Sequence, residues 1–132
     1  MAHVLLIDDD RDLVDANKIA LESGGHRVSV ANTGQEAWNF LQEASPDIVV
    51  LNVMMEEFTS GFDLAHDMGI KYPQMPIIML TGVREHMHGD WRYSSEKDQK
   101  WLPIRRFLEK PVLPSRLCEE IASTLKEMKR IL

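Results

Sequence analysis

Five polar side chains follow short apolar runs along this chain of 132 residues: Asp8 and Asp9, Asn52, Thr81 (then Gly82), and Lys110 before Pro111. Two carboxylates, a hydroxyl and an ammonium brought together would cradle a divalent cation and a phosphoryl group, since Mg²⁺ favours carboxylate oxygens and water. The set lacks a nucleophile. Position 52 carries an amide, whose oxygen attacks far more weakly than a carboxylate.

For these residues to meet, each must end a strand of one sheet. Val4-Leu5-Leu6-Ile7, Ile48-Val49-Val50-Leu51 and Ile77-Ile78-Met79-Leu80 are continuous apolar runs, the pattern of parallel strands buried on both faces. Val28 to Ala31 and Arg106 to Glu109 read as two further strands. Between them, Leu13, Ala16, Ala20 and Leu21 form a helical stripe that stops at Gly24-Gly25, and Thr33-x-x-Glu36 is a capping-box pattern before Ala37, Phe40, Leu41 and Ala44. Phe62, Ala65, Gly69 and Tyr72 predict a third helix. Leu117, Ile121, Leu125, Met128 and Leu132 predict a last one from Pro114, with at most a short helix in 82–103. Strand and helix alternate throughout, which predicts an α/β fold with a parallel sheet covered on both faces and a site at the carboxyl ends of its strands.

Composition narrows the class. The length suits one domain over 1–132, with no effector domain expected, and 44% apolar residues suffice for one core. A single cysteine, Cys118, excludes an internal disulfide framework and reads as structural; the absence of an apolar leader or long apolar run predicts a soluble, cytoplasmic protein without membrane contact. A net charge of −6, with acid concentrated early at Asp8, Asp9, Asp10, Asp12 and Asp15, argues against direct nucleic-acid binding.

In order and spacing, these motifs resemble the receiver domain of two-component response regulators. The resemblance rests on Asp8-Asp9, the stretch Pro46-Asp47-Ile48-Val49-Val50-Leu51-Asn52-Val53-Met54-Met55, the Pro-Ile-Ile-Met-Leu-Thr run ending at Thr81, and Phe107 three residues before Lys110-Pro111. It implies a five-stranded, doubly wound, flavodoxin-like sheet in the order 2-1-3-4-5. It also implies a phosphorelay: a histidine kinase or phosphotransfer protein as donor, and Mg²⁺ held by Asp8, Asp9, position 52 and the Met54 carbonyl. Thr81, Gly82 and Lys110 would bind or frame the phosphoryl group, Phe107 would repack on switching, and the Lys110-Pro111 peptide would be cis. A downstream protein would meet the segment 82–107.

The departure is Asn52. No acyl phosphate is expected there, and Mg²⁺ binding should be weak or absent. The chain is then either the unphosphorylatable form of an ordinary receiver, through a natural or an engineered change, or a pseudo-receiver acting as an interaction module. Independent enzymatic activity is not expected, beyond self-phosphorylation and dephosphorylation in an Asn52→Asp form. Blander readings stand beside these. Asp8 and Asp9 could be helix-terminal acids, Thr81 a strand-end hydroxyl, Lys110 a surface amine and Phe107 a core residue. His86, His88 and Asp90 read as solvent-facing, while Trp91, Tyr93 and Trp101 among arginines and lysines read as partner contacts or as anchors of a long loop.

Overall fold

The computed structural model describes residues 2–52, 60–81, 105–109 and 112–131, with backbone alone at 60–63, 81, 109 and 129–131. Along the chain run β1 (His3–Ile7), α1 (Arg11–Ser23), β2 (Arg27–Ala31), α2 (Gly34–Glu43), β3 (Ile48–Asn52), α3 (Ser60–Lys71), β4 (Ile77–Thr81), β5 (Arg106–Glu109) and α4 (Pro114–Ile131). The strands form one parallel sheet in the order β2-β1-β3-β4-β5. This is the flavodoxin-like receiver arrangement that the resemblance implies. The expectation of a short helix in 82–103 lies outside the described residues.

Strand alternation divides the core into two layers. Leu5, Ile7, Val49, Leu51, Ile77 and Met79 face α2 and α3, where Ala37, Leu41, Leu64, Ala65 and Met68 meet them. Val4, Leu6, Ile48, Val50, Ile78 and Leu80 face the other way, against Val14 and Leu21 of α1 and Leu117 and Ile121 of α4. Because both faces are covered, the central strands carry apolar side chains at successive positions. Ile121 is fully buried in the second layer. Its truncation to alanine should cost about 2–5 kcal/mol, read as a lower urea midpoint with an unchanged slope.

Two helix faces differ from those predicted. On α1 the buried residues are Val14, Asn17 and Leu21, while Ala16 is exposed and Leu13 and Ala20 are half-buried. The buried stripe is thus displaced by one residue and contains a polar side chain. On α3 the core residues are Leu64, Ala65 and Met68, and Gly69 is only half-buried. Tyr72 lies just past that helix, with its hydroxyl donating to the Leu41 carbonyl at 3.3 Å.

The helix ends follow local chemistry. Thr33 caps α2 as the sequence predicts, its hydroxyl accepting the Glu36 N–H at 3.1 Å. At the end of α1 the left-handed residue is Gly25, with φ of 93°, rather than Gly24. The His26 N–H then reaches the Leu21 carbonyl and the Gly25 N–H the Glu22 carbonyl, each at 3.0 Å, closing the orphan carbonyls of the last turn.

At the other end of the sheet, Arg106 on β5 donates to Glu127 of α4 at 2.7 Å, a bond that raises the guanidinium pKa. Cys118 on α4 is half-buried, and burial pushes its thiol up, so the neutral thiol is the form at neutral pH. Among the described residues, no helix is long and apolar enough to cross a membrane.

Candidate functional site

Sheet register brings Asp8 and Asn52 together. Ile7 of β1 pairs with Leu51 of β3, so the next residue of each strand reaches the carboxyl edge beside the other. From β1 the chain crosses to β2 on one side, and β3 lies on the other side, so this edge is the point at which strand order reverses. The crevice left there is where polar groups can gather.

Asp8 is 5% exposed and Asn52 is 3% exposed. A buried carboxylate must be hydrogen-bonded to be tolerated. Asp8 Oδ1 accepts from the Asp10 N–H at 2.9 Å and from Asn52 Nδ2 at 3.0 Å. Its backbone is anchored as well: its N–H donates to the Ala31 carbonyl at 3.0 Å, and its carbonyl accepts from Asn32 Nδ2 at 3.3 Å. Asp9 is exposed.

Two further acids, Asp10 and Asp12, stand at the start of α1. Asp10 is the N-cap of α1, its carboxylate accepting the Leu13 N–H at 3.2 Å, and Asp12 lies in the first turn. Replacing Asp10 with alanine should cost about 1 kcal/mol in urea unfolding.

Thr81 ends β4, one residue beyond Leu80, the register partner of Asn52, so its backbone reaches the same edge. Its side chain is outside the described set. Phe107 on β5 lies beside Met79, half-buried against the α2 and α3 layer. That position fits the core reading and the switching reading alike. Met54, Gly82, Lys110 and Pro111 lie outside the described residues, as do His86, His88, Asp90, Trp91, Tyr93 and Trp101. Among the described residues, no group of three His, Cys, Asp or Glu side chains is placed to share a metal ion.

Sequence reasoning missed Asn17. It is 4% exposed on the inward face of α1, and together with Asp8 and Asn52 it lines a small cavity beneath the strand ends. The available signal was spacing. Val14, Asn17 and Leu21 stand at i, i+3 and i+7, one face of a helix.

A parallel sheet with acids at the carboxyl end of β1 and a polar acceptor position at the end of β3 is common to many α/β proteins, so comparison with known sequences decides the family. The family model for the response regulator receiver domain matches residues 4–122. The chain belongs to the response regulator receiver family. This receiver domain is 32% identical over 131 residues to the response regulator SaeR of Staphylococcus aureus (strain USA300), an alignment covering 98% of the chain and 53% of SaeR. It thus spans about half the length of the curated relatives that it matches. A crystal structure of a response regulator receiver domain protein from Clostridium thermocellum superposes with a TM-score of 0.81 at 27% identity, covering 100% of both chains. The CheY-like receiver domain protein from Methanospirillum hungatei JF-1 has the same fold, with a TM-score of 0.81 at 24% identity over 100% of this chain and 99% of its own. At the end of β3 this receiver domain has an amide side chain, Asn52, hydrogen-bonded to Asp8.

Proposed function

We propose that this receiver domain is the unphosphorylatable form of a phosphorelay module. With aspartate at position 52 it would take a phosphoryl group from a histidine kinase or phosphotransfer protein; with Asn52 it stays in the unphosphorylated state. The observation that carries this reading is the 3.0 Å bond from Asn52 Nδ2 to Asp8 Oδ1. The amide has nearly the shape of a carboxylate and occupies the strand-end position, but it offers a donor to Asp8 and no strong nucleophile. In the aspartate form a carboxylate oxygen would attack phosphorus, forming a P–O bond as the P–N bond to the donor histidine breaks and the imidazole leaves.

Mg²⁺ fits the present residues poorly. A cation at Asp8 needs oxygens directed at it, and Asp8 Oδ1 already accepts two N–H groups, one of them from position 52 itself. Asp8 and Asp9, with a carboxylate at 52 and the Met54 carbonyl, form the better donor set. On this reading Thr81, Gly82 and Lys110 receive the phosphoryl oxygens, Phe107 responds to them, and the segment 82–107 meets the downstream protein. The module works in the cytoplasm, over the whole of 1–132, and is not an enzyme in its own right.

The same hydrogen bond favours a second reading, a pseudo-receiver whose partner binding needs neither phosphate nor metal, because Asp8 is satisfied without a cation. Treating both the present chain and its Asn52→Asp form with a small phosphodonor and Mg²⁺, and following intact mass, separates the two. An adduct on the aspartate form alone supports the phosphorelay module. Labelling of neither supports the interaction module.

A further inference from the structure

We propose that one internal water molecule is bound beneath the strand-end site, and that through it Asn17 positions the Asp8 carboxylate. Asn17 lies between Val14 and Leu21 on the inward face of α1, and its Oδ1 is buried without a hydrogen-bond partner. Buried amide oxygens nearly always find a partner, in the protein or in ordered water. The space for one is present. A cavity of about 10 Å³ has polar corners at Asp8, Asn17 and Asn52 and apolar walls that include Val14, Val50 and Leu80.

Size and polarity together identify the occupant. The volume is at the lower limit for a single water and excludes any larger ligand. Wholly apolar cavities of this kind stay dry, but this one has three polar side chains at its edge. Asn17 Oδ1 and the Asp8 carboxylate are both acceptors, so they cannot bond to each other. Water carries two O–H donors, one for Asn17 Oδ1 and one for the carboxylate. An ionised carboxylate has about four acceptor positions, enough for this donor beside the Asp10 and Asn52 N–H groups. Asn17 is then a positioning residue: the water it holds fixes the Asp8 rotamer and thereby the bond from Asn52. The proposal does not depend on the phosphorelay reading.

The test uses the ¹⁵N-labelled chain and water-selected NOE spectra. A cross-peak from a long-lived water to the Asn17 side-chain amide is expected, while Asn17→Ser, which keeps a hydroxyl acceptor, should retain the water at neighbouring amides and Asn17→Leu should lose it. Hydrogen exchange of the Asn52 side-chain amide should run about tenfold faster or more in Asn17→Leu, tenfold being the lower bound for losing one hydrogen bond to a charged group, and stay near the original rate in Asn17→Ser. A general packing defect would not be rescued by the smaller serine. Absence of a water cross-peak at Asn17 overturns the proposal, and equal Asn52 exchange in all three proteins overturns the positioning role. If Asn17→Leu does not fold, the spectrum of the present chain still decides whether the water is bound, and Asn17→Val, a smaller side chain that also lacks an acceptor, takes the place of leucine in the exchange comparison.

Discussion

Asn52→Asp is expected to convert an inert chain into one that takes up a single phosphoryl group from acetyl phosphate or phosphoramidate in the presence of Mg²⁺. The backbone has little to change, since residue 52 ends a central strand whose register with β1 and β4 is set by Leu51 and its neighbours. Chemistry changes completely. An amide oxygen shares its electron density with nitrogen and cannot form a stable acyl phosphate, whereas a carboxylate in the same place is a competent nucleophile. The readout is therefore all or none at position 52: intact mass shows one adduct in the variant and none in the present chain, and peptide mapping places it at residue 52. Adding Asp8→Asn to the variant should slow labelling strongly, because it removes the buried carboxylate beside the acceptor. Labelling of the present chain at residue 52 would contradict the role given to the amide.

The strands were the most legible part of this molecule, because a strand covered on both faces shows as a continuous apolar run. The run from residue 48 to 51 and the Arg106 to Glu109 stretch lie where the sequence places them. Strand order was not written in periodicity; it came with the family resemblance. The helices were legible in position and less so in orientation. Counting only apolar residues made Leu13 and Ala16 part of the buried stripe of α1, although the core there is formed by Val14, Asn17 and Leu21. A polar residue on a buried face is invisible to such a count, and this one borders the site.

The meeting of Asp8 and Asn52 was legible from the strand ends, since both follow the apolar runs that form neighbouring strands. The bond between them was not: only the amide can donate to the carboxylate, and whether Asn52 turns Nδ2 rather than its oxygen toward Asp8 rests on its side-chain rotamer, a tertiary fact.

That bond has an energetic consequence: without metal at neutral pH, Asn52→Asp should be less stable than the present chain by about 2–3 kcal/mol. The variant loses an N–H donor to a buried carboxylate, a bond to a charged group being worth about 1.5–3 kcal/mol, and gains a second carboxylate in its place. Two carboxylates sharing a buried site disfavour double ionisation, so one of them has its folded-state pKa raised above the unfolded value. The folded variant then binds more protons than the unfolded chain, and its stability falls as pH rises. Relative to the present chain, it should lose little below the ordinary carboxylate range and progressively more as pH climbs from there through the raised pKa. Mg²⁺ should reverse the deficit, with about 2.7 kcal/mol returned at a concentration near a hundred times its dissociation constant, while leaving the present chain almost unmoved. Urea midpoints at acidic and neutral pH, with and without Mg²⁺, measure all four combinations. A variant as stable as the present chain at neutral pH without metal would mean that the Asn52 amide contributes nothing to holding Asp8. The bond would then be incidental to the fold, leaving the identity of residue 52 as a matter of chemistry alone.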